Sequence, residues 1–206
     1  MLRITSIFIV GVLLLSGCGY GPPATGHRIL DTARKPNQFT SVAIIYAQTS
    51  RPPQGLATFP NGGIPKLVRA EFTIVLLNPI LKSVSEIHSQ PVPKEVRHAF
   101  RADVLGWQDD AIFLQLAGCP ENECWGDLVQ YRQYQIRESG AFTEISEIPV
   151  SAKFKGESFA PMPGERNYIR LGHSFDEITM TTDYQKKSQI VFVLDVRTGK
   201  LAAAAE

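Results

Sequence analysis

Short apolar runs and two-residue alternation recur from residue 41 to residue 196, and they confine this chain to strands. Val42, Ile44, Ile45 and Tyr46 make a β-branched and aromatic run. Residues 72–77 are nearly continuous in apolar side chains, which suits a central strand buried on both faces. Val96, His98, Phe100, Ala102 and Val104 alternate with Arg97, Ala99, Arg101 and Asp103, although Pro93 also permits a short helix before them. Ile112, Phe113, Leu114 and Leu116 form the next run, and Arg132, Tyr134 and Ile136 oppose Tyr131, Gln133, Gln135 and Arg137. Residues 178–182 and 190–196 close the set. No segment sustains a helical period for three turns, so the class is mainly β: one antiparallel domain.

Three arrangements of such strands remain open: a sandwich, a partly open barrel, or an incomplete propeller-like meander. The last is suggested by a faint repeat. Lys82 to Ile87 aligns with Gly140 to Ile145, and the step recurs from Gly140 to Gly199. Trp107-Gln108-Asp109-Asp110 likewise resembles Ser174-Phe175-Asp176-Glu177 in placing an aromatic and an acidic pair before a strand. Hairpins commonly end in glycine turns without any repeat, and the chain has room for about three four-stranded blades where closed rings need four or more.

The N-terminus carries a different signal. Met1 and Arg3 are positive, residues 4–15 are mostly apolar, and Leu15-Ser16-Gly17-Cys18 follows. The apolar stretch is shorter than the roughly 20 residues a membrane-spanning helix needs. In order and content, residues 1–18 resemble a bacterial lipoprotein signal peptide. That resemblance implies a diacylglyceryl thioether on Cys18, cleavage before it, and acylation of the new amine by fatty chains such as palmitate. Two or more chains anchor stably, each buried methylene contributing roughly 0.8 kcal/mol. It further implies a place in the bacterial cell envelope, on the periplasmic side. Gly19, where an aspartate would mark inner-membrane retention, leans toward the outer membrane. The expected organisation is a signal peptide over 1–17, lipidated Cys18 with a flexible tether to residue 40, and a β domain over 41–206.

Losing residues 1–17 removes Arg3 and no acid, leaving 20 basic and 20 acidic residues. No basic stripe stands out, which argues against nucleic acid as a partner. Of the remaining cysteines, Cys119 and Cys124 close a small loop, and in an oxidising compartment a disulfide is the natural reading. Metal binding by the same pair lacks nearby ligands to complete a tetrahedral set, so neither metal nor cofactor is expected. His173 with Asp176 and Glu177 is the densest polar cluster, and polar turns account for it; Asp109-Asp110 reads as a turn as well.

Trp107, Trp125 and Phe59, with Tyr131 and Tyr134 nearby, are the aromatic candidates for a binding surface, and core packing is the competing role. Residues 49–65, rich in proline and glycine, have the length of a functional loop. Neither a Gly-x-Ser-x-Gly elbow nor a paired-histidine motif is present. The expectation is therefore a non-catalytic binding or assembly module that contacts a protein or cell-wall partner. The alternatives are an envelope hydrolase acting on glycan or peptide, and an inhibitor or immunity lipoprotein.

Overall fold

The computed structural model describes residues 22–51, 66–120, 129–149, 152–154, 167–171, 178–181 and 190–205. Thirteen strands and a single 3-10 turn are placed among them. The first sheet is a meander of β1 (Ala24–Arg34), β2 (Ser41–Arg51), β3 (Lys66–Asn78) and β4 (Ser83–Pro91), paired in chain order. After the turn at Lys94–Val96 come β5 (His98–Gln108), β6 (Ala111–Cys119), β7 (Gln130–Arg137), β8 (Phe142–Ile145) and β9 (Lys153–Phe154). They form a second sheet in the order β8-β7-β6-β5-β9. The third contains β10 (Tyr168–Leu171), β11 (Ile178–Thr181), β12 (Ile190–Leu194) and β13 (Leu201–Ala203), ordered β11-β10-β12-β13. Every pairing is antiparallel and no sheet closes into a barrel.

The three sheets are layers, with the first sheet in the middle. Val42, Ile44, Phe72 and Ile74 pack against Phe100, Val104, Ile112 and Leu114 of the second sheet. From the opposite face, Ala43, Ile45, Val75 and Leu77 pack against Ile169, Phe192 and Leu194 of the third. Burial on both faces is why residues 42–47 are apolar without alternation, since successive side chains of a strand point to opposite faces. Fully burying a side chain such as Phe72 is worth roughly 1.5–3 kcal/mol. A smaller cluster of Ala111, Phe113 and Ala152 covers the outer face of the second sheet.

This layering corrects the propeller-like alternative. In a fan, each sheet packs on the next one along the chain; here the third sheet returns to the far face of the first. It also corrects the boundary of the domain. Residues 24–34, expected as tether, form β1 and pair with β2 along their whole length. Ile29 packs toward the third sheet and Leu30 toward the second, as alternation along a strand provides, and a bulge between Ile29 and Asp31 leaves Leu30 as the extra residue opposite β2. Asp31, also buried, accepts the N–H of Val104 at 2.8 Å and ties β1 to β5.

Candidate functional site

The start of β1 is where the layers leave an open space. His27 is held there by the β12–β13 turn. Its backbone N–H donates to the Val196 carbonyl at 2.9 Å, and its ring Nδ1 lies 2.9 Å from the same oxygen. A carbonyl only accepts, so Nδ1 carries the proton in this arrangement.

The turn itself is built by Asp195 and Gly199. Asp195 Oδ1 accepts the N–H groups of Arg197 and Thr198, at 2.9 and 3.2 Å. These bonds, with one from the Thr198 hydroxyl as the largest cause, hold the Asp195 carboxyl below its usual range. Gly199 adopts φ +74°, and a Cβ there would lie 2.5 Å from the His27 ring. Only glycine meets both demands.

Two clefts flank this contact. The larger, about 470 Å³, is lined by β1 from Ala24 to Arg28, by Tyr46, Gln48 and Ser50 of β2, and by Val196 and Arg197. Register sets Ala24, Gly26 and Arg28 opposite Ser50, Gln48 and Tyr46. Cross-strand partners share a face, so these six residues form one strip. The Arg28 guanidinium lies over the Tyr46 ring, 4.8 Å from its centroid, and Tyr46 stacks in turn on Phe100 at 5.4 Å. Burial raises the Tyr46 phenol above its ordinary value, against the opposing pull of Arg28 and Arg97, so it remains a neutral hydroxyl at physiological pH. No acidic side chain lines this cleft among the described residues.

The smaller cleft, about 370 Å³, has His27, Glu71, Thr73, Glu86 and Lys200 on its wall. Its character is mixed: Glu71 is paired with Arg69 at 2.6 Å, and the Thr73 hydroxyl bonds that of Ser89 at 3.0 Å.

Several sequence-level candidates stand elsewhere. Trp107, expected as a possible binding aromatic, is only 4% exposed and belongs to the core between the first and second sheets; that expectation is corrected. Its ring has the Lys35 ammonium 5.7 Å from the centroid, and Lys35 pairs with Glu138 at 2.6 Å. Tyr134 is buried against Phe142, at 4.7 Å, whereas Tyr131 is exposed. Cys119 is buried at the end of β6 with its sulfur 3.4 Å from the His98 carbonyl oxygen. Its expected partner Cys124 lies outside the described residues, as do Cys18, Phe59, Trp125, His173, Asp176 and Glu177. Asp109 and Asp110 occupy the β5–β6 turn as expected, Asp109 at φ 54° and Asp110 accepting from Arg137 at 2.7 Å. Among the described residues no group of three or more His, Cys, Asp or Glu side chains is placed to hold a metal.

His27, within the stretch expected as tether, lines both clefts, and nothing in the sequence marks Arg28, Tyr46, Gln48 or Arg197 as site residues. Their only signal is cross-strand register, which a single sequence does not display.

The class this geometry defines is a three-layer antiparallel β domain with a cationic cleft at the start of its first strand. Comparison with protein-family profiles, with curated proteins and with solved structures finds no match. Among the described residues, no helix is long and apolar enough to cross a membrane.

Proposed function

We propose that this chain is a lipid-anchored, non-catalytic binding module of the bacterial cell envelope, held on the periplasmic side of a membrane, the outer membrane by preference. The lipid on Cys18 is the anchor, the cleft beside β1 is the binding site, and Cys119 with Cys124 staples the loop that follows β6. The observation that carries the reading is the cleft: about 470 Å³, lined by His27, Arg28, Gln48, Ser50 and Arg197, and bordered by Ala24, close in sequence to Cys18. Pockets of several hundred cubic ångströms with a few convergent polar groups are the usual form of a ligand site.

The anchor is tested by intact mass of the protein extracted from membranes, wild type against Cys18→Ala. The expected result is a chain beginning at Cys18 and carrying acyl chains, lost in the variant. An uncleaved or unlipidated wild-type mass would overturn this part of the reading.

A further inference from the structure

We propose that the cleft beside the start of β1 is an oxyanion site that takes a phosphate group, from a phospholipid headgroup or a soluble phosphate ester, with Arg28 as its central cation. This names the ligand class of the binding site put forward above, and it rests on that reading.

Arg28 is the reason. Its guanidinium lies over the Tyr46 ring, 4.8 Å from the ring centroid, and a guanidinium held over an aromatic face still has terminal N–H donors that suit a phosphate. Its Nε is buried and makes no hydrogen bond, and Arg28 forms no ion pair among the described residues. A cation partly removed from water and left without a counter-charge is costly. An anion arriving from outside removes that cost and gains charge-assisted hydrogen bonds.

The surroundings favour the same ligand. Arg97 places a second positive charge near Tyr46, with Nη2 donating to the Val68 carbonyl at 2.6 Å and Nε buried without a partner. Arg197 enters the lining from the β12–β13 turn, while Gln48 and Ser50 bring donors from β2. Donors from the β1–β2 strip and from the β12–β13 turn face one space, which suits an oxyanion with several acceptor oxygens. Gly26 leaves the room: a Cβ added there meets no atom within 4 Å.

The position along the chain points to a source. Residues 19–23 separate Cys18 from Ala24, and a fully extended chain of that length reaches about 20 Å. A lipid on Cys18 therefore holds this end of the domain at the headgroup layer.

The test uses the full chain extracted in neutral detergent, with thermal unfolding as the readout, because a ligand that binds the folded state raises Tm. Millimolar inorganic phosphate raises the Tm by a few degrees beyond chloride at matched ionic strength. Arg28→Gln removes that rise by removing charge. Gly26→Val removes it by filling the cleft, in a strand position where a Cβ meets no neighbour within 4 Å. Arg132→Gln, on β7 and outside the cleft, keeps it. No rise in the wild type beyond chloride, or an equal rise in Arg28→Gln, would overturn the proposal.

Nanodiscs separate the two sources. If phosphatidylglycerol discs raise the wild-type Tm above phosphatidylcholine discs and abolish the further effect of phosphate, the headgroup occupies the site. If phosphate and glycerol phosphate still act in those discs, the ligand is a soluble ester. An unlipidated intact mass would sink the anchor while leaving Arg28-dependent protection in detergent untouched, so the two failures are distinguishable.

Discussion

Single residues in this molecule are constrained by what lies on both sides of them. Asp31 is a carboxylate inside a β sandwich, and the N–H of Val104 at 2.8 Å is one group it satisfies. Removing one partner of a buried hydrogen bond leaves the other unsatisfied. Asp31→Ala is therefore expected to lower unfolding stability by about 1–3 kcal/mol, measured by urea denaturation. A loss within error of zero would mean that water replaces the carboxylate there. Gly118 shows the same constraint sterically: a Cβ would lie 2.2 Å from the Val96 carbonyl oxygen, where β6 passes over the 3-10 turn. Gly118→Ala forces backbone to move and is expected to cost at least as much as ordinary overpacking, about 1–3 kcal/mol. A variant as stable as wild type in the same denaturation would refute the close approach.

At the scale of elements, the β12–β13 turn is both a structural joint and a wall of the cleft. Asp195 is held ionised by the Thr198 hydroxyl and by two backbone N–H groups, so its pKa in the folded state is below its ordinary value of 3.8. The folded state therefore gains from an ionised Asp195 above that value, and the gain is lost as pH falls below it. The stability difference between wild type and Asp195→Ala should be constant at neutral pH and narrow as pH drops through the region below 3.8. A gap that widens toward acid would contradict the turn geometry.

Elements also show what a sequence can and cannot display. β2, β3 and β6 are legible because burial on two faces leaves nearly unbroken apolar runs, and β5 and β7 because alternation survives in Phe100, Ala102, Val104 and in Tyr134, Ile136. β1 is not. Pro22, Pro23 and Gly26 look like linker, and the bulge puts one extra residue between Ile29 and Asp31, which breaks the period of two. β4 was obscured for another reason: its residues Ser83, Ser85, Glu86 and Gln90 are polar because it is a half-exposed edge. The cleft is built on β1, so it is invisible wherever residues 24–34 look like a tether.

At the scale of the whole molecule, the first sheet belongs to two cores and should couple them. Phe72 is fully buried on its side toward the second sheet, and Phe192 is almost as buried in the layer that covers the other face. Phe72→Ala and Phe192→Ala are each expected to cost about 3–5 kcal/mol, and both should shift one common unfolding transition. A separate early transition in Phe192→Ala alone would show that the third sheet melts independently.

At the same scale, the proposed anchor on Cys18 has a geometric consequence. Ala24, Arg51 and Lys66 lie at the cleft end of the first sheet, while Phe39, Ile80 and Leu81 are exposed in the turns at the opposite end. Strands of this length separate the two ends by roughly 35 Å. With the proposed lipid on Cys18, the cleft end is the one nearer the membrane. The most direct test is an environment-sensitive fluorescent residue incorporated at position 51 or, in a separate chain, at position 81, with the lipidated protein reconstituted in nanodiscs whose headgroups carry a spin label. Strong quenching at 51 and weak quenching at 81 is the predicted result. Strong quenching at 81, with position 51 left bright, would mean that the exposed apolar turns face the membrane and the cationic cleft does not.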